Sequence, residues 1–226
     1  MNPKNTVSAE HQTGDKGVFG LNEKAHPRIL FVGNSITLHH PAPQIGWTRK
    51  CGMAATDEAH DYVHLVMDAV KEKYPEADFT IAAQANWERA FWTKDETLLP
   101  TRAAAEWKPD AVVIRIGENT PIEALENGSY ADALVYMAKF YGGDTARYVV
   151  TDEFWKCKAK DVQLAEAAER LGAEFVIISN LGQDITNTAD GLFEHGGVAC
   201  HPGDKGMRLI ADRILEKLLP LLEKIG

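Results

Sequence analysis

Short, uninterrupted apolar runs alternate along this chain with stretches in which apolar residues recur every three or four positions. The runs are Ile29-Leu30-Phe31-Val32, closed by Gly33, then Phe79 to Ala83, Ala111 to Ile116, Arg147 to Val150 and Glu174 to Ser179. Continuous apolar runs of this length predict five strands buried on both faces. Between them, Tyr62, Leu65, Val66, Ala69 and Val70 fall at i, i+3, i+4, i+7 and i+8, one face of a helix of period 3.6. Further helical spacing covers about 130–141, 160–171 and 205–219. The last stretch carries Met207, Ile210, Ala211, Ile214, Leu215 and Leu218 on one side, with Asp204 placed to cap its N-terminus.

Strand and helix alternate throughout, which predicts an α/β domain: a parallel sheet with right-handed crossovers and helices on both faces. Such sheets bind ligands at the carboxyl ends of their strands, so the chemistry is expected in the loops that follow them. Residues 1–27 are polar without a sustained period and read as an N-terminal arm; residues 28–226 then form the domain. No internal repeat or low-complexity tract interrupts it.

Length and charge narrow the function. The 226 residues suit one large domain with a core of its own. With 24 Lys+Arg against 33 Asp+Glu the net charge is −9, and no basic block occurs, which disfavours nucleic acid and anionic membrane surfaces as partners. Cys51, Cys157 and Cys200 are odd in number, far apart and outside any C-x-x-C pair, so they read as reduced thiols. No stretch is apolar for long enough to be a signal-peptide core or a membrane helix, and a cytoplasmic location is expected.

Three predicted loops carry candidate chemistry. The first strand ends Gly33-Asn34-Ser35-Ile36-Thr37, which puts a serine hydroxyl beside a glycine that permits a tight turn. The third ends Ile116-Gly117-Glu118-Asn119-Thr120, with an amide able to stabilise a developing oxyanion. His201-Pro202-Gly203-Asp204 precedes the last helix, and Pro202 holds His201 in extended geometry. In these blocks, GNSIT with Ser35, GEN with Asn119 and HPGDKGM with His201, the chain resembles the SGNH (GDSL-like) hydrolase family from about Ile29 to Leu219, and its carbohydrate-active esterases most of all. The resemblance implies a three-layer α/β/α sandwich with a flavodoxin-like parallel sheet. It further implies Ser35 as nucleophile, His201 as base, and an oxyanion hole made by the Ser35 N–H, a backbone N–H after the second strand and the Asn119 side chain.

The chain departs from that family pattern twice. Where a glycine usually supplies the backbone donor, the loop reads Gln84-Ala85-Asn86-Trp87-Glu88, so Ala85 or Asn86 takes the role. Where an aspartate usually stands three residues before the histidine, Val198 stands here. Glu194, Asp190 and Asp184 are the candidate orienting acids, with a backbone carbonyl as the other means of fixing the imidazole. A Ser35–His201 dyad is favoured over a full triad.

Trp47, Trp87 and Trp92 follow the first two strands on the expected active edge, with His39 and His40 nearby, and are candidate sugar-binding faces. No long apolar loop suggests a lid or an acyl-chain tunnel. The expected activity is therefore removal of a short acyl group, acetyl above all, from a carbohydrate or glycoside, with no metal and no cofactor. The alternatives are a lysophospholipase or thioesterase, and a non-catalytic sugar-binding protein on the same scaffold. The expected partner is a small-molecule ester or acylated carbohydrate; a homo-oligomer is a further expectation from the frequency of symmetric association.

Other residues have structural readings. Arg115, inside an apolar run, is expected to pair with Glu118 or another carboxylate. His60 and His64, four apart on a predicted helix, read as a solvated face, and Asp57, Glu58 and Asp61 as its first turn. Cys200 is expected to be buried and to point away from His201.

Overall fold

The computed structural model describes residues 21–93 and 95–225. One parallel sheet holds β1 (Arg28–Gly33), β2 (Asp78–Ala83), β3 (Ala111–Arg115), β4 (Arg147–Thr151) and β5 (Glu174–Val176), in the spatial order β2-β1-β3-β4-β5. All five apolar runs are strands. The last is shorter than expected because the Asp152 carboxylate takes the N–H groups of Ile178 at 2.5 Å and Ser179 at 3.0 Å, so the chain leaves the ladder at Val176.

The helices that shape the site and layers are α1 (Tyr62–Lys73), α2 (Ala85–Arg89), α3 (Tyr130–Gly142), α4 (Lys158–Leu171), α5 (Gly196–Ala199) and α6 (Asp204–Leu222). Strand alternation divides the core in two. Ile29, Phe31, Val113 and Val149 face one side, with Val66 and Val70 of α1 and Ile210 and Ile214 of α6. Leu30, Val32, Val112, Ile114 and Val150 face the other, with Leu134 and Met137 of α3 and Leu164 of α4. The result is a three-layer α/β/α sandwich.

Helix starts differ from the sequence reading in three places. Asp61 lies before α1 and caps it, accepting the His64 N–H at 2.9 Å and the Gly52 N–H at 3.1 Å. Asp57 and Glu58 therefore lie upstream of the helix, and His60 belongs to a separate 3-10 turn (Glu58–His60), so His60 and His64 do not share a helix face. Each histidine meets its own aspartate instead, His60 with Asp57 at 2.6 Å and His64 with Asp61 at 2.8 Å. Asp204 is the first residue of α6 rather than its cap, and its carboxylate accepts the backbone N–H of Thr56 at 2.7 Å and its hydroxyl at 2.6 Å, tying the segment before α1 to α6.

Of the expected N-terminal arm, residues 1–20 lie outside the described residues. Residues after them run against the domain: the Asn22 carbonyl accepts the Trp107 indole N–H at 3.1 Å and the His26 N–H bonds the Glu76 carbonyl at 3.1 Å. Among the described residues no helix is long and apolar enough to cross a membrane. The strand order reverses between β1 and β3, because the chain leaves β1 for β2 and then crosses back; the crevice at the carboxyl ends of β1 and β3 is where this fold class places ligands.

Candidate active site

Ser35 lies in the turn that leaves β1. Gly33 is required there, since a Cβ on it would stand 1.9 Å from Thr37 Oγ1 and 2.9 Å from the Arg115 carbonyl oxygen. The Asn34 carbonyl accepts the N–H groups of Thr37 at 2.9 Å and Leu38 at 3.0 Å, and Asn34 Oδ1 accepts that of Ile36 at 3.2 Å. Ser35 Oγ is 2.8 Å from His201 Nε2. His201 arrives from the turn between α5 and α6, anchored by its N–H on the Val198 carbonyl at 3.0 Å. Both side chains are buried, Ser35 at 7% and His201 at 4% exposure.

On the other side of the imidazole the Gly197 backbone carbonyl favours the ring's N–H. This corrects the search for an acid: Asp184, Asp190 and Glu194 are all exposed, and Asp184 folds back on the Thr186 N–H at 2.9 Å and hydroxyl at 2.8 Å. Val198 is buried within α5. A carbonyl selects the useful tautomer, with Nδ1–H donating and Nε2 free to accept, but it adds no negative charge to support an imidazolium. Burial, with repulsion from His39 next, pushes His201 down to about 3, so the ring is neutral in the resting site.

Cys200 does not point away from His201. Its backbone is helical (φ −74°, ψ −14°) rather than extended, which leaves Sγ 3.9 Å from His201 Nδ1 and donating to the Gly197 carbonyl at 3.4 Å. It is half-buried, and burial pushes its thiol up to about 11, so it is no nucleophile at neutral pH.

Asn119 follows β3, and its amide is held from α2. Nδ2 donates to Glu88 Oε2 at 2.6 Å, and Oδ1 accepts from Arg89 Nη2 at 2.9 Å. Glu88 Oε1 also accepts Asn34 Nδ2 at 2.9 Å, the Gly117 N–H at 2.7 Å and the Asn119 N–H at 3.1 Å. One carboxylate thus joins all three loops, and it leaves one Nδ2 proton of Asn119 for a ligand. Ala85 and Asn86 open α2, where first-turn backbone N–H groups have no intrahelical acceptor.

Beneath this layer Arg115 meets Glu118 as expected, Nη1 to Oε1 at 2.5 Å and Nη2 to Oε2 at 3.0 Å, and Nη2 also bonds Asn34 Oδ1. Glu118 further accepts the Phe154 N–H at 3.0 Å and Asn34 Nδ2 at 2.6 Å. Burial raises both carboxyl groups. For Glu118 the adjacent guanidinium overrides burial and holds it well below the usual carboxylate range; Glu88 stays raised, by burial and then by the charge of Glu118.

The aromatic expectations divide. Trp47 and Trp87 are fully buried: Trp47 donates its indole N–H to the His39 carbonyl at 3.2 Å, and Trp87 packs on Tyr130 and Phe91. Neither presents a face to a ligand, which corrects their assignment as sugar platforms. Trp92 is exposed at 41%. Trp155, absent from the sequence reading, stands edge-on to the His201 ring at 5.3 Å and 84°. It lies four residues after β4, a loop that the same strand-end rule reaches. Glu88 left no comparable signal, because its role depends on Asn34, Gly117 and Asn119, which are remote in sequence. Among the described residues no cluster of three metal-ligating side chains occurs.

The strand order and layers are those of an SGNH-like fold, and serine, asparagine and histidine stand at the carboxyl edge of its sheet. Neither a protein-family model nor a curated protein matches the sequence. Solved structures match the fold. The psychrotrophic esterase EstA from Pseudoalteromonas sp., in a structure inhibited by monoethylphosphonate, aligns at TM-score 0.56 and 13% identity over 87% of this chain and 99% of that one. TesA aligns at 0.51 and 17% over 88% and 99%. A family two carbohydrate esterase from Cellvibrio japonicus aligns at 0.51 and 13% over 89% of this chain and 63% of that longer one.

Proposed function

We propose that the protein is a serine esterase that removes short acyl groups, acetyl above all, from a carbohydrate or glycoside. The observation that carries the proposal is the 2.8 Å contact from Ser35 Oγ to His201 Nε2 at the switch point of the sheet. Ser35 Oγ attacks the ester carbonyl as its proton passes to Nε2; the imidazolium then protonates the departing alcohol. Water, deprotonated by His201, releases the acid from the acyl-serine. The oxyanion is held by the Ser35 N–H, an N–H of Ala85 or Asn86, and Asn119 Nδ2, and each such donor contributes ~2.7–4 kcal/mol of transition-state stabilisation. Glu88 orients Asn119 for this role. These steps use side chains and backbone alone.

The test is a p-nitrophenyl ester series of rising acyl length, together with a phosphonate ester. Turnover of the acetate that declines with chain length, and stoichiometric phosphonylation of Ser35 seen by peptide mass, are the expected results. Preference for long chains would favour a lysophospholipase or thioesterase. No turnover and no adduct would favour the non-catalytic sugar-binding reading, for which Val198 in place of an acid speaks.

The neutral base has a pH signature. A histidine of ordinary pKa, about 6.5, would lose roughly thirtyfold in active fraction at pH 5. With His201 pushed down to about 3 by burial, kcat/KM at pH 5 is expected to stay within about twofold of its value at pH 7, measured as acetate release by NMR. An acid limb near pH 6.5 would contradict this.

A further inference from the structure

Between residues 118–122 and 153–160 lies a cleft of about 420 Å³, within the range of roughly 300–1,000 Å³ typical of small-molecule sites. It adjoins the reacting centre through two of its lining residues: Asn119, the proposed oxyanion donor, and Trp155, whose ring abuts His201. Glu153 also lines it and is 1% exposed. Its Oε1 meets Lys160 Nζ at 2.6 Å, while Oε2 has no hydrogen-bond partner among the described residues. An unpaired buried oxygen opposes folding, and such atoms call for a functional explanation.

Its neighbours limit the ligand. Lys160 spends its three protons on Glu153, on the Gly117 carbonyl at 2.8 Å and on the Thr120 carbonyl at 3.0 Å, so it offers nothing to a phosphate or carboxylate. Both Glu118 oxygens are likewise committed to Arg115, Asn34 and Phe154. Lys160 beside Glu153, and the exposed Lys156 at the rim, disfavour a cation. Burial, then the charge of Glu118, push Glu153 up to about 8 despite Lys160. With anions and cations both disfavoured by these neighbours, the unpartnered Oε2 fits a neutral donor, which on the alcohol side of an ester describes a hydroxyl. Ile122, 59% exposed, and Trp155 supply apolar walls suited to the C–H faces of a sugar ring.

We propose that this cleft is the subsite for the hydroxylated, alcohol side of the substrate and that Glu153 Oε2 hydrogen-bonds a sugar hydroxyl there. The inference rests on the serine-esterase reading. It is tested by the ratio of kcat/KM for mono-O-acetyl methyl glycosides (gluco, manno, galacto and xylo) to kcat/KM for p-nitrophenyl acetate. Two variants are compared with the wild type. Glu153→Leu with Lys160→Met removes both members of the buried pair, so that neither charge is left alone. Ile122→Trp fills the mouth of the cleft from an exposed position and leaves the buried network intact.

Each variant is expected to lower the ratio for the best glycoside tenfold or more, through KM rather than kcat. Ratios within twofold of wild type for Ile122→Trp, with p-nitrophenyl acetate still hydrolysed, overturn the inference and leave the esterase reading standing. Wild-type turnover of p-nitrophenyl acetate without turnover of any glycoside does the same. A wild type that hydrolyses neither class overturns both.

Discussion

Ser35→Ala is expected to lower kcat for acetyl ester hydrolysis by on the order of 10⁴–10⁶-fold with little change in KM. The hydroxyl stands 2.8 Å from the only base aimed at it in the described structure, and the nearby thiol of Cys200 is held protonated by burial, so no other side chain there can take over the attack. What remains in the variant is the pull of the oxyanion donors on a carbonyl attacked by water, which leaves residual acceleration above the uncatalysed rate. In the proposed mechanism Ser35 and His201 act as one unit, so Ser35→Ala/His201→Ala should be hardly slower than either single variant. Steady-state kinetics on p-nitrophenyl acetate decide the matter. Activity within tenfold of wild type in Ser35→Ala would remove the nucleophile assignment.

Arg115→Leu should be the most costly single change to the fold, by about 3–5 kcal/mol. The guanidinium is fully buried and is the partner of Glu118 and Asn34, while Glu88 lies close by with a raised pKa. Removing it leaves buried carboxylates without their counter-charge. The pH dependence gives an internal check. In the wild type, Arg115 holds the folded-state pKa of Glu118 below its unfolded value, so this pair's contribution is complete above the unfolded pKa, about 4.3, and is lost as pH falls further through the folded pKa. In the variant, burial acts alone and Glu118 takes up a proton more readily in the folded state. The gap between the two proteins should therefore shrink as pH falls from 7 toward 4. Urea unfolding at both pH values measures it. A difference below 1 kcal/mol at pH 7 would show that the network contributes little.

Much of the architecture was legible in the chain itself. Ile29–Val32 and Ala111–Ile114 are buried on both faces of one parallel sheet, so they show as continuous apolar runs, and the 3.6-residue period of α1 and α6 shows because only one stripe of each meets the core. The placement of Ser35, Asn119 and His201 at one edge was legible for a related reason: loops after parallel strands gather there, and short motifs mark them. Helix starts were less so, because whether Asp61 caps or enters a helix depends on which backbone N–H it meets.

Tertiary structure alone decided the rest, and in each case the deciding partner is remote in sequence. Trp47 and Trp87 look like rim aromatics until packing places them in the core, since an aromatic after a strand serves burial as well as binding. The group that favours the His201 N–H is the Gly197 carbonyl, which no side-chain motif can encode because every residue has one. Glu88, read only as part of a loop, becomes the acceptor for Asn34, Gly117 and Asn119 once β1, α2 and β3 are side by side. The sequence determined the strands, the helices and the residues able to react; which of them meet, and with what charge beside them, followed from the crossover that brings the loops after β1, β2 and β3 to one edge of the sheet.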